Sequence, residues 1–113
     1  MMRLALSPAA HGLLRALVAR ARVPRDRILL SEWRSIDWQS LTFVGERHEI
    51  GLRVAGPESG DVVDRLVDGL EDAEFEIPGH VVADIAVVGA PRPAEDGSIM
   101  LSVEALTLAR GLA

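Results

Sequence analysis

The stretch LTFVGERHEIGLRV, residues 41–54, alternates apolar and polar side chains on either side of a Gly-Glu pair. Leu41 and Phe43 flank Thr42. After Gly45-Glu46, His48, Ile50, Leu52 and Val54 interleave with Arg47, Glu49, Gly51 and Arg53. A period of two is that of a strand with one buried face. Gly-X is the signature of a two-residue type II′ turn. The reading is a hairpin turning at Gly45-Glu46, with Phe43 facing His48 and Leu41 facing Ile50. One face is apolar and the other charged, as in an antiparallel sheet wet on one side.

Upstream, residues 27–38 (RILLSEWRSIDW) are expected to be extended. Ile28 and Leu30 share one parity and Leu29 and Trp33 the other, so a bulge or break near Ser35 would reconcile them. Before that, a helix is predicted over residues 8–22. Ser7 can cap its free amides, and Pro8 suits a first turn whose N–H would be unpaired anyway. Ala10, Leu13, Leu14, Leu17, Val18 and Ala21 form one stripe, with His11, Arg15 and Arg22 opposite. Pro24 stops it.

Downstream, Gly56-Pro57-Glu58-Ser59-Gly60 is a loop, and a second helix is predicted over residues 61–72. Val63, Leu66, Val67 and Leu70 would point inward, with Asp61, Asp64, Asp68, Glu71 and Asp72 outward. Glu71 and Asp72 would then sit at the wrong end of the helix dipole. Residues 75–77 start a strand that Pro78-Gly79 interrupts. Residues 81–88 and 99–108 are strands rich in Val, Ile and Leu, joined by a long, polar, Pro-broken link, GAPRPAEDGS, expected to be mobile. The order α-β-β-β-α-β-β implies a single α+β domain over residues 1–113. Its architecture would be a two-layer sandwich, one antiparallel sheet of four or five strands with two helices on one face.

Composition excludes several classes. The 113 residues contain no cysteine, which removes disulfides, Cys-ligated zinc, iron–sulfur clusters and thiol nucleophiles together. Lys, Asn and Tyr are also absent, a pattern of GC-rich, bacterial codon usage that makes Arg the default cation. No apolar run is long enough to span a bilayer. The opening from Met1 to Ala10 resembles a signal peptide superficially, but Pro8 interrupts it and Arg15, Arg20 and Arg22 follow, so a cytoplasmic protein is expected. There is no phosphate-binding glycine loop, nucleophile elbow or zinc motif, and neither cofactor nor metal is expected.

Charge is split by position. Residues 1–25 hold five arginines and no acid, and the remainder holds seven arginines and all 17 acids. The basic first helix either reaches an external anion or lies beside the acidic second helix, where Arg15, Arg20 and Arg22 would meet Asp64, Asp68 and Glu71. The second reading is preferred, and nucleic-acid binding is disfavoured by the acidic body.

The candidate chemistry lies in two groups. His48 could serve as a base or ligand, but alternation puts Glu49 on the opposite face, so the structural reading is preferred. Pairing Val88 with Met100 would set Asp84 opposite Glu104, either a proton-sharing carboxylate pair or a solvated face with Arg34 or Arg53 between them. Trp33, Trp38 and Phe43, three of the four aromatics, form core, a protein interface or a stacking platform. His80 follows a turn and reads as a surface residue.

The leading functional expectation is a non-enzymatic association module acting as a homodimer. It rests on an apolar, edge-capable strand over residues 99–108 whose lone charge is Glu104. The alternative is a small enzyme or ligand-binding domain with its site near His48, Trp33 and Asp84.

Overall fold

The first helix, α1 (Pro8–Ala21), begins as its sequence dictates: the Ser7 hydroxyl accepts from the Ala10 amide at 3.1 Å. It ends at Arg22, which adopts the left-handed conformation at φ 56° two residues before Pro24. The computed structural model describes residues 6–110. The signal-like start up to Ala5 and the charge of Arg3 lie outside the described residues.

After a short 3₁₀ turn at Arg25–Arg27, the strands β1 (Ile28–Gln39) and β2 (Val44–Val54) pair antiparallel. Then come α2 (Ser59–Val67), a second 3₁₀ turn at Leu70–Asp72, β3 (His80–Val87), β4 (Arg92–Pro93) and β5 (Ile99–Ala109). The sheet order is β1-β2-β5-β3, with β4 paired to β5. The fold is the expected α+β sandwich, two helices on an antiparallel sheet of five strands, but the order is α-β-β-α-β-β-β and not α-β-β-β-α-β-β, because residues 41–43 are loop and the link after β3 contributes β4.

Several local expectations change. The hairpin does not turn at Gly45-Glu46. β1 runs to Gln39, and residues 40–43 form the loop, closed by a 2.8 Å bond from the Ser40 amide to the Phe43 carbonyl. Leu41 and Phe43 are therefore exposed loop residues, and the partners of His48 and Ile50 are Ser35 and Trp33. Gly45 is a strand residue because β5 passes too close for a side chain: a Cβ there would lie 2.0 Å from the Thr107 carbonyl oxygen.

The second helix stops at Val67. Asp68 is extended and Gly69 takes φ +67°, a conformation glycine adopts without steric cost. Glu71 and Asp72 thus lie beyond α2 and are not set against its dipole. Residues 75–77 form only an isolated bridge between Ile77 and His80.

The link after β3 is folded back on itself. β4 pairs with Met100 and Ile99, the Ala94 amide donates to the Ser98 carbonyl at 2.8 Å, and Asp96 accepts from the Ser98 amide. Above it, β3 pairs Asp84 with Leu106 and Ala86 with Glu104, with a bulge between Val82 and Asp84. Asp84 and Glu104 therefore do not face each other. The residue across from Glu104 on the other side is Glu49.

A bulge does reconcile the parity of β1, but at Ser31, between Leu30 and Glu32. It puts Ile28, Leu30 and Trp33 on the same face as Ile50, Leu52 and Val54 of β2 and Leu101, Val103 and Ala105 of β5. Under the helices this face is buried, and Leu13, Leu17, Val62, Val63, Leu66 and Leu70 close over it. Burying each such side chain contributes roughly 1.5–3 kcal/mol. The opposite face is bare.

Candidate functional site

Polar side chains enter the helix-covered face in two adjacent rows. Ser35, His48 and Ala105 are neighbours across β1, β2 and β5, and Asp37, Glu46 and Thr107 form the next row. They occupy these positions because each continues the alternation that buries Trp33, Ile50 and Val103. His48 and Thr107 have no exposed surface.

One hydrogen-bonded chain links them. Trp33 Nε1 donates to Ser35 Oγ at 2.8 Å, Ser35 Oγ lies 2.8 Å from His48 Nδ1, and His48 Nε2 lies 2.9 Å from Thr107 Oγ1. Thr107 Oγ1 in turn donates to the Glu46 carbonyl at 3.5 Å. Thr107 has a single hydroxyl proton and gives it to a carbonyl that can only accept, so it must accept from His48 Nε2–H. With the ring neutral, Nδ1 accepts the Ser35 proton while Ser35 Oγ also accepts from Trp33. This arrangement is that of the neutral Nε2–H tautomer. Burial lowers the His48 pKa from 6.5, with Glu46 opposing and His80 adding to the shift. The Trp33 and His48 rings meet edge to face, with centroids 5.8 Å apart. The Glu46 carboxylate accepts from the Ser7 hydroxyl at 2.7 Å, tying the sheet to the start of α1.

An exposed serine donating to a neutral imidazole is the elementary relation of nucleophilic catalysis. Here it is tuned for rigidity. The Trp33 N–H donates to Ser35 Oγ, and a hydroxyl and not a carboxylate partners the far nitrogen. A cleft of about 350 Å³, bounded by Asp37, Trp38, Glu46, His80 and Thr107 among others, reaches the chain at its Thr107 end. Among the described residues no group of three or more His, Asp or Glu is arranged to hold a metal ion.

The other expected site residues are dispersed. The bulge at Ser31 sends Trp33 to the core and Trp38 to the bare face, while Phe43 sits in the loop, so the three aromatics form no platform. Glu104 and Asp84 are exposed in different rows of the bare face. Arg34 approaches Glu49 at 3.7 Å and stands beside the Glu49–Glu104 pair. His80 Nδ1 stays local, 3.0 Å from the Pro78 carbonyl.

The two helices do lie together, but without the expected Arg–acid pairs. Arg20 Nε donates to the Leu66 carbonyl at 3.1 Å and its Nη2 to that of Asp68. Arg65 Nε donates to the Ala21 carbonyl at 3.1 Å. Each helix thus has its C-terminal carbonyls covered by an arginine from the other, where both the unpaired C=O groups and the dipole favour a cation. Arg15 and Arg22 remain exposed. Ser35 and Thr107 were not singled out by sequence reasoning; a hydroxyl set between Leu106 and Leu108 in the apolar run of β5 was the available signal for Thr107.

No family model matches the chain, and no curated protein is similar to it at a significant level.

Proposed function

We propose that this protein is a non-enzymatic association module that works as a homodimer through the bare face of its sheet. The carrying observation is the apolar end of that face. Trp38, Gly45, Leu108 and Val81 form one row across it, and Ile36, Arg47, Leu106 and Asp84 the next. Ile36 and Val81 are 42% and 39% exposed. Exposed apolar side chains rimmed by charges such as Arg47 and Asp84 are characteristic of interaction sites. The strand first suspected as a free edge, β5, is central and paired on both sides, so association is assigned to the face and not to that edge.

A cytoplasmic setting goes with this reading, as the absence of cysteine suits a reducing compartment. Among the described residues no helix is long and apolar enough to cross a membrane.

Native mass spectrometry and sedimentation across micromolar concentrations test the proposal. A dimer is expected, converted to monomer by Ile36→Lys or Leu106→Glu with an unchanged circular dichroism spectrum. A strictly monomeric wild-type protein would overturn it. A ligand-binding reading attaches to the cleft at Thr107 and His80; extra mass on each subunit, lost in His80→Ala, would favour that reading instead.

A further inference from the structure

A groove of about 510 Å³ runs along one flank of the molecule, between α1 and the first residues of β1. Leu14 and Val18 line it from the helix, Leu29 and Leu30 from the strand, and the exposed Arg15 and Arg25 border it. Leu30 belongs to the helix-covered face and Leu29 to the bare face, so the groove straddles the strand's free edge. In the sheet β1 pairs only with β2, which leaves its outer main chain without a strand partner among the described residues. The segment is also held in place. The Arg27 guanidinium donates to the Ala55 and Pro57 carbonyls, and the Ala55 amide donates to the Arg27 carbonyl at 2.9 Å. The Ser31 bulge then ends the regular edge.

Charge decides the occupant. α1 carries no acid, and neither the Arg15 nor the Arg25 side chain makes a hydrogen bond or ion pair among the described residues. A second copy joined antiparallel through this edge would bring α1 against α1, setting Arg15, Arg22 and Arg25 near their own duplicates, three cations per copy against the two nearby acids Asp26 and Glu32. Like charges so placed oppose self-pairing.

We propose that this edge binds an extended acidic–apolar segment of another protein, added as a short strand along Ile28, Leu29 and Leu30. Its main chain would pair with β1, alternate apolar side chains would enter against Leu14, Val18 and Leu30, and its carboxylates would meet Arg15 and Arg25. Main-chain bonding supplies affinity in this mode and the flanking pockets supply selectivity. The site shares Leu29 with the bare face but lies at the other end of the sheet from the Trp38 and Ile36 rows, and does not depend on dimerisation there.

The test is selection of random peptides displayed on phage against the wild-type protein, with binding of the winners compared in an Arg15→Glu/Arg25→Glu variant. Both arginines are exposed and unengaged, so the variant should fold; Leu29→Arg blocks the groove independently. Enriched peptides should alternate apolar residues with Asp or Glu and bind the double variant about tenfold more weakly. N-methylation of the peptide's alternate amides should abolish binding. Failure to enrich any peptide, enrichment of basic peptides, or binding that survives either the charge reversal or N-methylation would overturn the proposal.

Discussion

His48 shows how one residue's environment sets its chemistry. A neutral imidazole completes the chain from Trp33 to the Glu46 carbonyl with Nδ1 accepting from Ser35, and burial disfavours the charged ring. The folded-state pKa lies below 6.5, so between the two values the unfolded chain binds the proton and the folded one does not. The stability tied to His48 is full above about pH 6.5 and is lost as pH falls from there toward the folded value. Glu46 and Asp37 flank the same rows and His80 lies nearby; the non-titrating His48→Gln separates their contribution. Urea unfolding across this window should show a slope in wild type that the variant lacks. His48→Ala should cost about 3 kcal/mol, through a cavity and orphaned hydroxyls. Gly45→Ala should cost a similar amount, about 3 kcal/mol, because the new Cβ meets backbone that cannot rotate away. Thermal denaturation checks both.

Among elements, the helix pair is joined by arginine-to-carbonyl bonds rather than by ion pairs. Arg20→Met and Arg65→Met should each lower stability by about 1 kcal/mol, since a charged donor is lost from carbonyls at a helix end. Asp64→Asn and Glu71→Gln should change it by less than about 0.5 kcal/mol, as expected for exposed acids without a partner. Denaturant midpoints of the four variants discriminate this arrangement from the salt-bridged one that the charge pattern suggests. Charge alternation along helices was plain in the sequence. What it could not convey is that the two C-terminal ends lie side by side, where carbonyl oxygen competes with carboxylate for each guanidinium.

For the whole molecule, a two-layer sandwich buries one face of its sheet and leaves the other to water or to a partner. If the bare face dimerises, the folded state is stabilised by mass action, and the melting temperature of wild type should rise with protein concentration. Ile36→Lys should remove that dependence while leaving the monomer's own transition intact. A melting temperature independent of concentration in wild type would count against the dimer.

The chain by itself determined its periodicities: the cap and stripe of α1, the alternation from Arg47 to Val54, the strands near residues 81–88 and 99–108, and hence the sandwich class. These are readable because propensity and burial pattern act over a few neighbouring residues. Gly45 looked like a turn and is a strand residue, because the constraint on it comes from Thr107, far along the sequence. The same separation hid the Ser35–His48–Thr107 chain, the Glu49–Glu104 juxtaposition and the central place of β5. Register and strand order are chosen by which long-range pairing buries the most apolar surface without clash, and that choice exists only once the sheet has assembled.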